Sequence, residues 1–119
     1  DNARLGPLRR SANLYTMTDT NIPIVCTLND EAFRQREETV LAKIKASVIE
    51  ATELPDGYTF RFASDDDSFA MLNEFIVLER RCCPFLDFKM TVPRGEGDIR
   101  LELSGADGTK EFIEKNFIG

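Results

Sequence analysis

Two pairs of strand-like runs, each pair joined by a turn, constrain the fold of this chain most strongly. In the first, residues 48–54 and 58–63 flank a Pro-Asp-Gly turn; in the second, residues 86–92 and 99–103 flank a segment containing Pro and Gly. Alternation with a period of two predicts strands with one buried face, and turns of this composition predict hairpins. Because a helical pattern follows each hairpin, the hairpin–helix unit occurs twice.

The remaining patterns complete the predicted fold. Alternation over residues 22–28 predicts a further strand with Cys26 on its buried face, and an Asn-Asp pair then begins a helix that ends near Lys45. A second, strongly apolar helix begins at an acidic Ser-Asp-Asp-Asp cap and ends before Pro84, and a third covers residues 109–117. We therefore predict an α+β fold: an antiparallel sheet of about five strands with three helices on one face, in the order strand, helix, hairpin, helix, hairpin, helix.

The alternation also assigns the two faces of the second hairpin and of the sheet. The positions predicted to face the core in that hairpin are Leu86, Phe88, Met90, Val92, Ile99, Leu101 and Leu103. The positions predicted to face outward are polar, namely Thr59, Arg61, Asp87, Lys89, Arg100 and Glu102. A sheet of this kind packs one face on the core and presents the other to water or to a polar partner.

Length, charge and cysteine content limit the function classes. The 119 residues suffice for one domain, which we assign to residues 17–119, and we expect residues 1–16 to be a poorly ordered extension without function. The formal charge is −6 and the basic residues are interleaved with acids, so we expect no nucleic-acid partner. No apolar run after the first strand is longer than that of residues 75–78, so we expect no membrane span. An odd number of cysteines, two of them adjacent, favours a reducing cytoplasm.

The complete absence of histidine excludes imidazole bases and histidine-containing zinc sites. The unusual segment is Glu79-Arg80-Arg81-Cys82-Cys83-Pro84-Phe85, where two adjacent thiols lie at the end of the most apolar helix. Thiolates select soft ions, so we predict that Cys82 and Cys83 bind a thiophilic metal or metalloid ion, with Cys26 as the third sulfur. Arg80, three residues before Cys83, is the expected charge partner of a thiolate, and Glu79 is its competitor for that arginine.

Two other interpretations remain open at this point. In one, Cys82 and Cys83 form a strained, easily reduced disulfide that acts as a redox switch. In the other, all three cysteines are packing residues of an interaction or scaffold domain whose polar sheet face or edge strand contacts a partner. The sequence is compatible with a homodimer. A catalytic role, such as thiol-dependent reduction, ranks third among these interpretations, since no general acid or base other than Glu79 is evident.

The segment from Leu78 to Phe85, with the hairpin and the Gly-Thr-Lys-Glu-Phe-Ile sequence that follow it, resembles a family of small uncharacterised bacterial proteins with a Glu-Arg-x-Cys-Cys-Pro-Phe motif. The likeness extends to Ile24-Val25-Cys26-Thr27-Leu28 and Leu54-Pro55-Asp56-Gly57-Tyr58, and so covers nearly everything after Met17. The family has no assigned reaction and is loosely associated with heavy-metal resistance. The resemblance implies that the candidate site residues are Cys26, Glu79, Arg80, Cys82 and Cys83.

Overall fold

The computed structural model describes residues 22–25 and 30–118 and has an α+β fold. Its main elements in chain order are α1 (Glu31–Ser47), β1 (Glu50–Leu54), β2 (Gly57–Phe62), α2 (Asp66–Cys82), β3 (Asp87–Thr91), β4 (Ile99–Ser104) and α3 (Thr109–Ile113). A 3-10 turn (Arg94–Glu96) joins β3 to β4, and a π-helical turn (Glu114–Ile118) continues α3. The three predicted helices and both predicted hairpins are thus confirmed. None of the described helices is both long enough and apolar enough to cross a membrane.

The four strands form one antiparallel sheet in the order β1-β2-β4-β3. The second strand of each hairpin lies at the centre, where Phe60 pairs with Leu101 and Phe62 with Ile99. The expectation of about five strands is therefore too high for the described residues. The strand predicted over residues 22–28 is wrong where it can be compared, since residues 22–25 form no strand and bend at residues 24 and 25. The rest of that prediction lies outside the described residues. The boundary predicted at residue 17 lies outside them too.

Alternation along the central strands separates a core face from a polar face. On the core face Phe60, Phe62, Ile99, Leu101 and Leu103 are all buried. They belong to one hydrophobic cluster together with residues of all three helices, so the helices cover that face. The opposite face carries the predicted polar rows, in which Arg61 forms ion pairs with Glu50 and Asp98. The predicted two-faced sheet is confirmed at its centre.

The edge strand β3 departs from this pattern. Leu86 is buried and Phe88 half-buried, as predicted, but Met90 is 42% exposed and Val92 is 53% exposed. Both residues alternate with polar neighbours as core-facing residues do. However, side chains of an edge strand are buried only where a neighbouring element extends over them. Met90 pairs with buried Leu101 and so lies on the core side of the sheet, but neither Met90 nor Val92 is buried in the core.

Helices α1 and α2 pack against each other in antiparallel orientation. Near the start of α1, Phe33 lies under the guanidinium group of Arg81, 5.0 Å from the ring centroid, at the end of α2. At the other end of the pair, the Ser47 hydroxyl lies 3.6 Å from the Met71 sulfur. Each helix begins at an aspartate whose side chain accepts backbone N–H groups of the first turn. Position 37 of α1 therefore lies beside the last turns of α2.

Tyr58 links the first hairpin to the C-terminal turn. Its hydroxyl donates a hydrogen bond to Glu114 Oε2 at 2.7 Å. This bond to Glu114, then burial, and then the negative charges of Glu114 and Glu53 raise the pKa of Tyr58 from 10.0 to about 12. The folded protein therefore holds this proton more tightly than the unfolded chain does.

We expect this interaction to stabilise the fold fully below pH 10, and its contribution to be lost as the pH rises from 10 towards about 12. The melting temperature of the wild type should fall more steeply across that window than that of Tyr58→Phe, which lacks the ionisable hydroxyl. Melting curves recorded by circular dichroism across the window test this. Equal slopes for the two proteins would contradict it.

Candidate metal centre

Three chemically reactive side chains share one face at the end of α2. Glu79, Cys82 and Cys83 stand at positions i, i+3 and i+4, and residues with this spacing lie on the same side of a helix. The helix persists to Cys82, and the backbone N–H of Cys83 still donates to Glu79 O at 2.7 Å, so all three positions keep helical spacing. Pro84 then prevents the helix from continuing. The result is one carboxylate and two thiols within a single turn.

All three side chains are buried. Glu79 is 2% exposed, Cys82 5% and Cys83 1%. On α2, Glu79 and Cys82 continue the buried stripe of Leu72 and Phe75 at helical spacing. An acidic side chain in this stripe occupies a position that packing alone would give to an apolar residue. A buried carboxylate needs hydrogen bonds or a cation to compensate the loss of water.

A second carboxylate reaches the same place from α1. Glu37 is half-buried and lies in the stripe of α1 that packs inward, between Phe33 and Val40. One carboxylate oxygen of Glu37, one of Glu79 and the sulfur of Cys82 all lie within 4.8 Å of one another. Two helices therefore bring two oxygens and one sulfur around a common point, an arrangement that suits a cation and brings two acids together.

Cys83 contacts this group through Glu79. Its sulfur lies 3.7 Å from Glu79 Oε1, within the range of a hydrogen bond from a thiol to a carboxylate. This contact holds the Glu79 side chain at a fixed place beside Cys82. In metal sites, contacts of this type orient the ligand and their loss weakens binding.

The two arginines of the motif have different surroundings. The guanidinium group of Arg81 lies over the ring of Phe33, which precedes Glu37 by one turn of α1. This contact joins the two helices near the site. Arg80 is exposed and lines a groove with Pro84 and Asp87 on another side of α2. Its role as charge partner of the thiolates stays a prediction.

The structure therefore places Glu79, Cys82 and Cys83 together in the interior, whereas Arg80 is exposed. Cys26, the expected third sulfur, lies outside the described residues.

Glu37 was missed, because in sequence it is one of several charged residues of α1. The signal that could have found it is its spacing of four residues after Phe33, three before Val40 and seven before Ile44. This spacing puts an acid in the middle of an apolar stripe.

The donor set restricts the chemistry. Sulfur ligands suit soft and borderline ions such as Cu(I) and Zn(II), whereas carboxylate oxygens suit harder ions. A mixed set of Cys and Glu ligands is typical of borderline divalent ions, above all Zn(II), which protein sites bind through Cys, His, Asp or Glu. The anionic donors also balance the charge of a divalent ion better than that of a monovalent one.

Neither the protein-family models nor the curated proteins nor the solved structures contain a match to this chain.

Proposed function

We propose that the chain binds one thiophilic divalent cation, of the Zn(II) or Cd(II) type, between α1 and α2. The observation that carries the proposal is the convergence of Glu37, Glu79 and Cys82 within 4.8 Å, from two helices and inside the protein. Clusters of acidic residues at a protein surface differ from this arrangement, since here one sulfur and one carboxylate are almost fully buried. The resemblance of the Cys-Cys-Pro segment to a family associated with heavy-metal resistance agrees with it.

Binding requires Cys82 to lose its thiol proton. The sulfur forms a bond to the ion, the S–H bond breaks, and the proton passes to solvent or buffer, so that the ion replaces a proton and no redox change takes place. Glu79 and Glu37 supply oxygen ligands, and Cys83 positions Glu79 or adds a second sulfur. Cys26 remains a candidate for a further sulfur on the basis of its sequence pattern alone.

Competition with a chromophoric chelator, using the reduced full chain, tests this proposal. We expect one Cd(II) or Zn(II) per chain, tighter binding at higher pH because a proton is released, and no competition by Mg(II) or Ca(II). Glu37→Gln should weaken Cd(II) binding by about tenfold or more, because it removes an anionic ligand. Glu38→Gln, at the exposed neighbouring position, is the matched control and should leave the affinity unchanged.

The contrary results are equally definite. Absence of any bound Cd(II) or Zn(II) at micromolar protein would overturn the proposal. Equal affinities of the Glu37→Gln and Glu38→Gln variants would remove α1 from the site. A large loss of affinity in Cys26→Ser, with none in Glu37→Gln, would instead support the three-sulfur site predicted from the sequence.

A further inference from the structure

The outer edge of β3 is a second site of interest, separate from the metal centre. β3 is the last strand in the order β1-β2-β4-β3, and in the described part of the chain no strand pairs with its outer edge. An edge of this kind presents unpaired backbone N–H and C=O groups and is a template for another strand. Natural edge strands are usually protected by charge, by Pro or by a covering element.

The face of β3 that continues the core face is only partly covered. Met90 and Val92 are 42% and 53% exposed. Beside them, a groove of about 500 Å³ runs between α2 and β3 and is lined in part by Ile76, Leu86 and Phe88. Apolar side chains thus continue from the core to the edge of the sheet and stop there.

Pairing of β3 with β3 of a second copy is restricted to a few registers. A two-fold axis perpendicular to the sheet keeps each face continuous, so a residue on one face must pair with a residue on the same face. Pairing centred on Lys89 puts two lysines opposite each other, which is unfavourable. Pairing centred on Met90 places Lys89 opposite Thr91. Pairing centred on Phe88 places Asp87 opposite Lys89 twice.

The register centred on Phe88 is therefore the one with complementary charge. It forms two Asp87–Lys89 pairs on the polar face and places Phe88 opposite Phe88 on the apolar face. In the same register Met90 lies opposite Leu86, which lines the groove of the other copy. The exposed methionine of each copy then enters the groove of its partner.

We propose that the chain forms a two-fold symmetric homodimer through antiparallel pairing of β3 with β3, in the register centred on Phe88. The two four-stranded sheets then form one continuous sheet of eight strands, four from the described part of each copy. The other edge of the sheet does not offer this complementarity. β1 carries Glu50 and Glu53 and no basic residue, and Glu53 is already paired with Lys110.

Charge exchange at two positions tests the register. The oligomeric state of the full chain is measured by sedimentation velocity over a range of micromolar concentrations. The wild type should show twice the mass of the 13.5 kDa chain. Asp87→Lys places two lysines opposite each other at two points and should raise the dimer dissociation constant by about tenfold or more.

The double variant Asp87→Lys with Lys89→Asp restores both opposite-charge pairs with their signs exchanged. It should recover dimerisation to within about threefold of the wild type, which a general loss of folding would not do. Asp56→Lys, in the turn between β1 and β2, makes the same change in net charge and should leave the dimer intact. Melting curves of all variants confirm that they are folded.

Three results would overturn the proposal. The first is a wild type that is monomeric at all concentrations. The second is a double variant that remains as monomeric as Asp87→Lys. The third is a monomer whose β3 amides are nevertheless protected from hydrogen exchange, because that result would place another part of the same chain on the edge.

Discussion

Replacing Cys82 by serine should weaken Cd(II) binding by about 100-fold or more, whereas replacing Cys83 by serine should weaken it by about tenfold. The sulfur of Cys82 is itself one of the three potential ligand atoms that lie within 4.8 Å of one another. The contact of Cys83 with this group is made through Glu79 Oε1, at 3.7 Å. Loss of a ligand removes a bond to the ion, whereas loss of a positioning contact leaves that bond in a looser geometry.

Serine is a suitable replacement because it keeps the size and the hydrogen-bonding ability of cysteine but has little affinity for soft ions. Dissociation constants from chelator competition give the comparison, and the absorbance of the Cd(II)–thiolate bond reports directly whether sulfur binds the ion. We expect this absorbance to survive in Cys83→Ser and to be lost in Cys82→Ser. The reverse order would make Cys83 the ligand and Cys82 the packing residue.

Phe75→Ala should lower the free energy of unfolding by about 3–5 kcal/mol. Phe75 is 1% exposed on the core stripe of α2, and its ring meets that of Phe117 edge-on with centroids 5.9 Å apart. Truncation removes the buried ring and leaves a cavity between α2 and the C-terminal turn. The loss is a large share of the total stability of a domain of this size.

Urea unfolding followed by circular dichroism measures this loss. Val77→Ala is the matched control, since Val77 lies on the same helix but is 46% exposed, and we expect it to change the stability by no more than about 0.5 kcal/mol. Comparable losses for the two variants would show that α2 does not pack on the core through the Phe75 face. Cd(II) titration of Phe75→Ala at low temperature further shows whether the site survives a weakened core.

The elements that could be predicted from the sequence are those determined by local interactions. The turn at Pro55, the strand-like run before it and the alternation after it specify the first hairpin, because turn chemistry and strand propensity act over a few residues. The end of α2 before Pro84 follows from the steric restriction that proline places on the residue preceding it. The prediction for residues 22–25 failed because alternation over so short a segment does not establish that a partner strand is present.

Burial at β3 and the composition of the site depend on contacts between distant residues. Met90 has the alternation of a core residue, but its exposure is decided by how far α2 extends over the sheet. The pair Cys82 and Cys83 is conspicuous in the sequence, whereas Glu37 lies 42 residues before Glu79 and becomes part of the site only through helix packing. Arg80 was predicted as the charge partner of a thiolate from helical spacing alone. Spacing does not determine the side-chain rotamer or the other groups that the guanidinium can contact.

The two acids in the apolar stripes have a consequence for how this protein can change over evolutionary time. A leucine at position 37 or 79 would fit the helical stripe and remove the cost of burying a carboxylate, and replacements of this kind often stabilise proteins. The same change would remove an oxygen ligand from the proposed site. Under the proposed function, selection for stability and selection for ion binding would act in opposite directions on these two side chains.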